Sequence, residues 1–203
     1  MSRFTKVALA GALALLAAVL AQTAAAAVGS GGCTKVAKPV LKARAEKKPT
    51  SPLSAKKVYE VTLTTNCGSF TIRMDQKQSP NAAAAFVALA QRGFFNGTIF
   101  HRIVPGFVIQ GGDPTGTGTG GPGFQTVDTP PRTARYTHGV VAMAKTQTDP
   151  AGTAGSQFFV VTVPDAQLPP DYAIIGKVVS GLPVVDRIGK LGNPQTQLPT
   201  QVI

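Results

Sequence analysis

Histidine, cysteine and acidic side chains are all scarce in this chain of 203 residues: two histidines, two cysteines, and nine Asp or Glu against twenty Lys or Arg. His101 and His138 have no ligand spacing around them, so metal chemistry has no foothold. Nucleophile chemistry is little better supplied. His101, Asp113 and Ser156 occur in His-Asp-Ser order, but Ser156 lies in "AGSQFFVV", which reads as the entry to a buried strand and not as an exposed nucleophile turn. Internal repeats are absent.

Most of the positive excess, +11 at pH 7, lies at one end. Arg3 and Lys6 precede "VALAGALALLAAVLAQTAAAA", an uncharged run closed by small residues. A basic start, an apolar run and an A-x-A-like close describe a secretory signal peptide over residues 1–27. A retained anchor is the alternative, since about twenty apolar residues can span a bilayer. The alanine-rich close favours cleavage near Ala27, leaving no stable membrane span. Residues 28–57 hold eight Lys or Arg against one acid, Glu46, whereas from Val58 onward ten basic residues face eight acidic ones. The high charge thus belongs to a leader and a solvated basic linker. This speaks against a nucleic-acid-binding fold, whose positive charge would lie on the domain surface.

Residues 58–203 are long enough for one domain with a full core. "VYEVTLTT" and "SFTIRM" alternate apolar and polar residues across "NCG" and predict a hairpin. "SPNAAAAFVALAQRG" predicts a helix, with Ser79 as N-cap, Pro80 at the first helical position and Gly93 at the end. Further strands are expected in "TIFHRIV", "FVIQ", "GVVAMA", "SQFFVVTV" and "AIIGKVV", and a short helix in "LPVVDRIGKLG". Strands outnumber helices and glycine or proline marks most junctions. The expected fold class is mainly β: a closed or nearly closed antiparallel β-barrel capped by two α-helices.

Within this domain "GTGTGG" (116–121) matches G-x-G-x-x-G, a dinucleotide-binding pattern only where it opens a helix after a strand. Pro122, Pro130 and Pro131 follow without a 3.6-residue apolar period, so no helix starts here and the stretch reads as a loop. Immediately upstream, "FHRIVPGFVIQGGD" places Arg102 among apolar neighbours, with Phe107 and Gln110 close behind. From spacing alone, Arg102 is a snorkelling side chain beside a core.

Four stretches change that reading: "FHRIVPGFVIQGGDPTGTGTGGPGF" (100–124), "GVVAMA" (139–144), "GSQFFVVT" (155–162) and "IIGKVV" (174–179). Together and in this order they resemble the cyclophilin family of peptidyl-prolyl cis-trans isomerases, over most of residues 58–190. The resemblance implies that the glycine loop borders a peptide groove and holds no nucleotide. It carries the catalytic arginine onto Arg102 and the apolar proline pocket onto Phe107, Val108, Phe159 and Leu168. Gln110 is expected to orient Arg102 and the substrate carbonyl, while Ala144 and Gln157 line the neighbouring groove. Rotation about an X-Pro bond makes and breaks no covalent bond, so neither metal nor cofactor is implied. The partners implied are proline-containing peptides and unfolded proteins, bound by a monomer. The rival is a catalytically weak module that binds proline peptides or acts as a chaperone.

Departures from the family are informative. Lys145 stands where many relatives have asparagine. Gln167 takes a position often held by tryptophan, which makes strong cyclosporin binding doubtful. Tyr172 replaces a common histidine and remains a donor and an apolar wall. The chain ends at Ile203 where relatives continue into a last strand, which predicts an incomplete barrel edge. Cys33 and Cys67 form an even pair in an exported chain and are expected to form a disulfide. The alternative, a lipid anchor at Cys33, meets Ser30 where a lipobox usually has an aliphatic residue. Export, to the medium or the cell envelope, follows from the leader.

Overall fold

The computed structural model describes residues 32–203, so the expected leader lies outside the described residues. A hairpin opens the domain: β1 (Glu60–Thr65) pairs antiparallel with β2 (Gly68–Met74), in register from Glu60–Arg73 to Thr65–Gly68. Alternation sends Phe70, Ile72 and Met74 inward and leaves Arg73 outside to pair with Glu60. Helix α1 (Pro80–Gln91) follows, with Pro80 at its start as expected.

The Ser79 cap is a correction. Ser79 occupies the N-cap position, but its hydroxyl is buried and has no hydrogen-bond partner among the described residues. Asp128 serves the first turn instead, accepting the backbone N–H groups of Ala82 (2.6 Å) and Asn81 (3.3 Å). A carboxylate satisfies these orphan donors and complements the positive end of the helix dipole.

The remaining strands are β3 (Arg102–Val104), β4 (Val108–Gly111), β5 (Thr126–Val127), β6 (Val140–Met143), β7 (Thr153–Ala154), β8 (Phe158–Val161) and β9 (Ile174–Ser180). Helix α2 (Leu182–Gly189) comes after them. Seven strands form one curled antiparallel sheet in the order β1-β2-β9-β6-β8-β4-β3, and β5 pairs with β7. The mainly β fold with two helices is as expected. The sheet is a half-barrel and not a closed one, since β1 and β3 are edges that do not pair with each other.

The final segment runs across that gap without forming a strand. Ile103 N–H donates to Gln197 O (2.9 Å), Phe100 N–H to Ile203 O (3.1 Å) and Asn66 Nδ2 to Val202 O (2.9 Å). Ile203 is buried against the core. Between Val61–Thr65 and Asn96–Phe100 a depression of about 380 Å³ remains along the outer edge of β1.

Strand alternation divides the sheet between two cores. Ile103, Ile109, Val141, Phe158, Val160 and Ile175 face one cluster, which both helices cover through Phe86, Val87, Val185 and Ile188. Their neighbours Val108, Val140, Ala142, Phe159, Val161 and Ile174 face the other side, joined there by Tyr136. Each buried Val, Ile or Phe among them contributes about 1.5–3 kcal/mol from burial. The second core has no helix over it. Loop residues Phe107, Leu168 and Tyr172 cover part of it, and a depression is left beside them.

Among the described residues the basic stretch preceding β1 forms no helix or strand, but it is not a free linker. Residues 32–57 form a strap laid on the domain, with lysines exposed and Leu41, Arg44, Glu46 and Leu53 half-buried. A disulfide joins Cys33 to Cys67. Lys42 N–H donates to Pro114 O (3.1 Å) and Glu46 N–H to Pro122 O (2.9 Å), so the strap grips both ends of the glycine loop. The Arg44 guanidinium donates to the carbonyls of Phe94 and Asn96 just beyond α1.

Candidate active site

The antiparallel register of β3, β4 and β8 sets Arg102 opposite Gln110 and Gln110 opposite Phe159. Ala142 of β6 stands opposite Phe159 in turn. Cross-strand neighbours on one face lie side by side, so an arginine, an amide and an aromatic ring become contiguous although Arg102 and Phe159 are far apart in the chain. Arg102, Phe107, Val108, Gln110 and Phe159 line a cavity of about 170 Å³, with Ala144, Leu168 and Tyr172 on its other walls. Gln157 borders the adjoining groove of about 620 Å³, together with Gln110, Ala144 and the glycine loop. The structure therefore brings all nine expected residues to one place.

The arginine is held by its acceptors. Arg102 Nε donates to Gln197 Oε1 (2.7 Å) and Nη1 to Gln110 Oε1 (3.1 Å). Gln110 Nε2 then donates to Gln157 Oε1 (3.0 Å), and Gln157 Nε2 donates to the carbonyls of Gly118 (2.8 Å) and Gly120 (2.9 Å). A chain of amides thus links the guanidinium to the glycine loop. Among the described residues Nη2 has no acceptor, so the arginine that lines the cavity keeps unused N–H donors. Burial lowers the guanidinium pKa from its ordinary value, with Tyr172 opposing. An arginine retains its charge under such a perturbation.

The glycine loop wraps a carboxylate. Asp113 accepts from the N–H groups of Thr115 (2.7 Å), Thr117 (3.0 Å), Gly118 (2.6 Å) and Gly120 (3.2 Å), and from the Thr115 hydroxyl (2.7 Å). Burial opposes ionisation of Asp113, but the hydrogen bonds from Thr115, Gly120 and Gly118 together outweigh it and hold the carboxyl below its ordinary value. Gly120 must lack a side chain, because a Cβ there would lie 2.0 Å from Asp113 Oδ1. These glycines shape a rim, as the reading of the loop required.

The His-Asp-Ser order assembles no triad. Ser156 Oγ is buried and donates to Gly112 O (2.7 Å), while Asp113 is committed to the loop. His101 lies beneath the loop, and neither of its ring nitrogens completes a hydrogen bond among the described residues. Burial lowers its pKa first of all. The Asp113 charge opposes this, Arg102 adds to it, and the nearby Gln157 amide opposes it. His138 pairs with Asp186 of α2 (2.7 Å) and is structural. No cluster of metal-ligating side chains occurs among the described residues. Among the same residues no helix is long and apolar enough to cross a membrane.

Gln197 had escaped sequence reasoning, and Asp113 had entered it only through the His-Asp-Ser order. Gln197, at φ 59°, reaches Arg102 from the segment after α2, and nothing in its local sequence marks it. The role of Asp113 as the acceptor at the centre of the glycine loop was not read from the sequence.

Comparison with known proteins agrees with this geometry. The family model described as cyclophilin type peptidyl-prolyl cis-trans isomerase matches residues 60–203. The Arabidopsis thaliana peptidyl-prolyl cis-trans isomerase CYP18-2 is 39% identical over 144 residues, covering 69% of this chain and 86% of that protein. A Helicobacter pylori peptidyl-prolyl cis-trans isomerase is 41% identical over 137 residues, 66% of this chain and 82% of the relative. The crystal structure of a Cryptosporidium parvum cyclophilin-type isomerase, solved in the presence of the dipeptide Ala-Pro, superposes with a TM-score of 0.65 at 34% identity. It covers 71% of this chain and 93% of that one. The half-barrel, the arginine-bearing strand pair and these matches agree, and the chain belongs to the cyclophilin-type peptidyl-prolyl cis-trans isomerases, an enzyme family of the isomerase class.

Proposed function

We propose that the chain isomerises X-Pro bonds of proteins folding outside the cytoplasm, with Arg102 as the donor that stabilises the twisted amide. The planar peptide bond has a barrier of about 18–20 kcal/mol because its C–N bond is partly double. Uncatalysed X-Pro exchange takes tens to hundreds of seconds. Raising a rate of about 10⁻² s⁻¹ to about 10³ s⁻¹ requires lowering the barrier by about 7 kcal/mol. Half-rotation localises a lone pair on the prolyl nitrogen. A fixed donor facing that nitrogen binds the twisted state better than either planar isomer, which is differential stabilisation of the transition state.

The observation that carries this reading is the tethered guanidinium. Nε and one N–H of Nη1 are engaged by Gln197 and Gln110, so the fork is fixed in direction in the wall of the cavity it shares with Phe107, Val108, Phe159 and Leu168. Phe107, Val108, Phe159 and Leu168 take the proline ring there, with Tyr172 as the remaining wall. Gln110 orients the guanidinium, and the groove beside Ala144 and Gln157 takes the residues preceding proline. The Ala-Pro dipeptide accompanying the Cryptosporidium structure supports a proline peptide as ligand. The Cys33–Cys67 disulfide and the apolar run in residues 1–27 support export, with residues 28–57 as an attached basic segment and one copy of the chain as the working unit.

The test is prolyl isomerisation by NMR exchange on the purified oxidised chain beside Arg102→Ala. Loss of one preorganised donor is expected to lower kcat/KM by about 100-fold or more with the fold intact. Turnover retained within about threefold would remove Arg102 from the mechanism. A folded parent that binds proline peptides without turnover would establish the binding module instead.

A further inference from the structure

Lys145 is the family departure that the mechanism leaves without a role. It lies two residues past the end of β6, and its side chain is only 4% exposed. Its ammonium is surrounded: Nζ donates to Thr146 O (3.1 Å) and Asp149 O (3.0 Å), and pairs with Asp171 Oδ2 (2.7 Å). The same nitrogen lies 5.6 Å from the centroid of the Tyr172 ring. An ammonium has three donors, and here each has an acceptor, so none is offered to a ligand. A buried cation is costly unless fully paired, and breaking such a pair leaves a charge without compensation. The side chain is therefore a tie between two loops, the 144–149 rim and the 165–172 wall, neither of which belongs to a strand or helix.

The other supports of Tyr172 show what the tie controls. The Tyr136 hydroxyl donates to Tyr172 O (2.8 Å) and accepts from Tyr172 N–H (2.9 Å), which fixes the main chain. Phe159 meets the Tyr172 ring edge-on, with centroids 5.4 Å apart. Lys145 lies over that same ring and also lines both cavities, the one of about 170 Å³ and the one of about 620 Å³. It forms part of the partition between them.

We propose that Lys145 is a positioning residue that sets the Tyr172 wall of the proline pocket and ties it to the rim of the neighbouring groove. This rests on the placement of the proline ring given above. Tyr172 touches the ring in planar and twisted states alike, so the tie acts on binding common to both and its loss raises KM while leaving kcat. Arg102 acts on the twisted state alone and its loss lowers kcat.

The experiment is steady-state isomerisation on the oxidised full chain and on Lys145→Met, Asp171→Asn and the double variant, with Arg102→Ala alongside. Lys145→Met is expected to raise KM about fivefold, the fold-change of one cation–π contact, with kcat within about twofold. The double variant is expected to be no worse than Lys145→Met, because both substitutions remove one contact. An unchanged KM, a fall in kcat alone, or single effects that multiply in the double variant would overturn the assignment. Should Lys145→Met not remain folded, Lys145→Arg decides: KM within about twofold of the parent supports the tie, and a KM as high as that of Asp171→Asn overturns it. If Arg102→Ala keeps full turnover, the site reading itself fails. If Arg102→Ala collapses while Lys145→Met leaves KM unmoved, only the role of Lys145 fails.

Discussion

Removing the disulfide tests whether the strap is part of the folded unit. Cys67 is 3% exposed in the turn between β1 and β2, where Arg187 also donates to its carbonyl (2.7 Å). Cys33 lies 34 positions earlier, and beside it Thr34 N–H donates to Asn66 O (2.9 Å) while Asn66 Nδ2 returns a bond to Thr34 O (2.6 Å). For a closed loop of this length the chain-entropy relation gives a stabilisation of about 3.8 kcal/mol through the unfolded state. That full loss appears in Cys33→Ser/Cys67→Ser only if the strap stays docked without its covalent anchor. The contacts that must then hold it are the bonds of Lys42 and Glu46 to the glycine loop, those of Arg44 beyond α1, and the Glu46–Arg92 pair. If the strap instead melts first, the native chain regains its entropy, the loss is smaller, and m falls because less surface is exposed at unfolding. The assay is urea unfolding followed by far-UV circular dichroism, since the chain has no tryptophan. The expected result is a loss of about 3–4 kcal/mol at unchanged m. A fall in Tm of about 8–15 °C should accompany it. A loss below about 1 kcal/mol at unchanged m would refute the reasoning, for a docked strap must lose more than that.

Two further outcomes follow from the loop and the residues beneath it. Gly120→Ala drives a Cβ to 2.0 Å from Asp113 Oδ1, whereas a Cβ at Gly121 meets nothing within 4 Å. Urea titration should therefore show Gly120→Ala less stable by about 1–3 kcal/mol and Gly121→Ala neutral or better, and equal effects would discard the carboxylate-centred loop. Stability should also rise with pH across the acid range. The unfolded chain protonates His101 near its ordinary 6.5, while burial keeps the folded ring neutral against Asp113 and beside Arg102, so stability begins to fall below that value and continues to fall down to the folded pKa. Asp113 adds a second loss below its ordinary 3.8, as pH drops through its depressed folded value. Urea midpoints against pH should flatten just below pH 6.5 in His101→Gln, and an identical slope there in that variant would remove His101 as the cause.

The sequence by itself determined what depends on near neighbours along the chain. Period-two alternation in "SFTIRM" marks residues that face opposite sides of a sheet, and the β2 pattern follows it. The proline-bearing segment after "GTGTGG" excluded a nucleotide helix. The family motifs brought Arg102, Phe107, Gln110 and Phe159 into one expectation. Local pattern has no means of choosing partners across the fold. Only tertiary structure joined Arg102 to Gln197, 95 residues away, or placed Asp128 on the first turn of α1 while Ser79 went unbonded. It also turned the ammonium of Lys145 inward onto Asp171 and Tyr172, and laid a stretch that reads as solvated linker along the rim of the groove. The physical reason is common to all of these. A side chain's propensity depends on its own backbone and near neighbours, whereas the acceptor that satisfies a buried donor is whichever group the packed chain brings within reach.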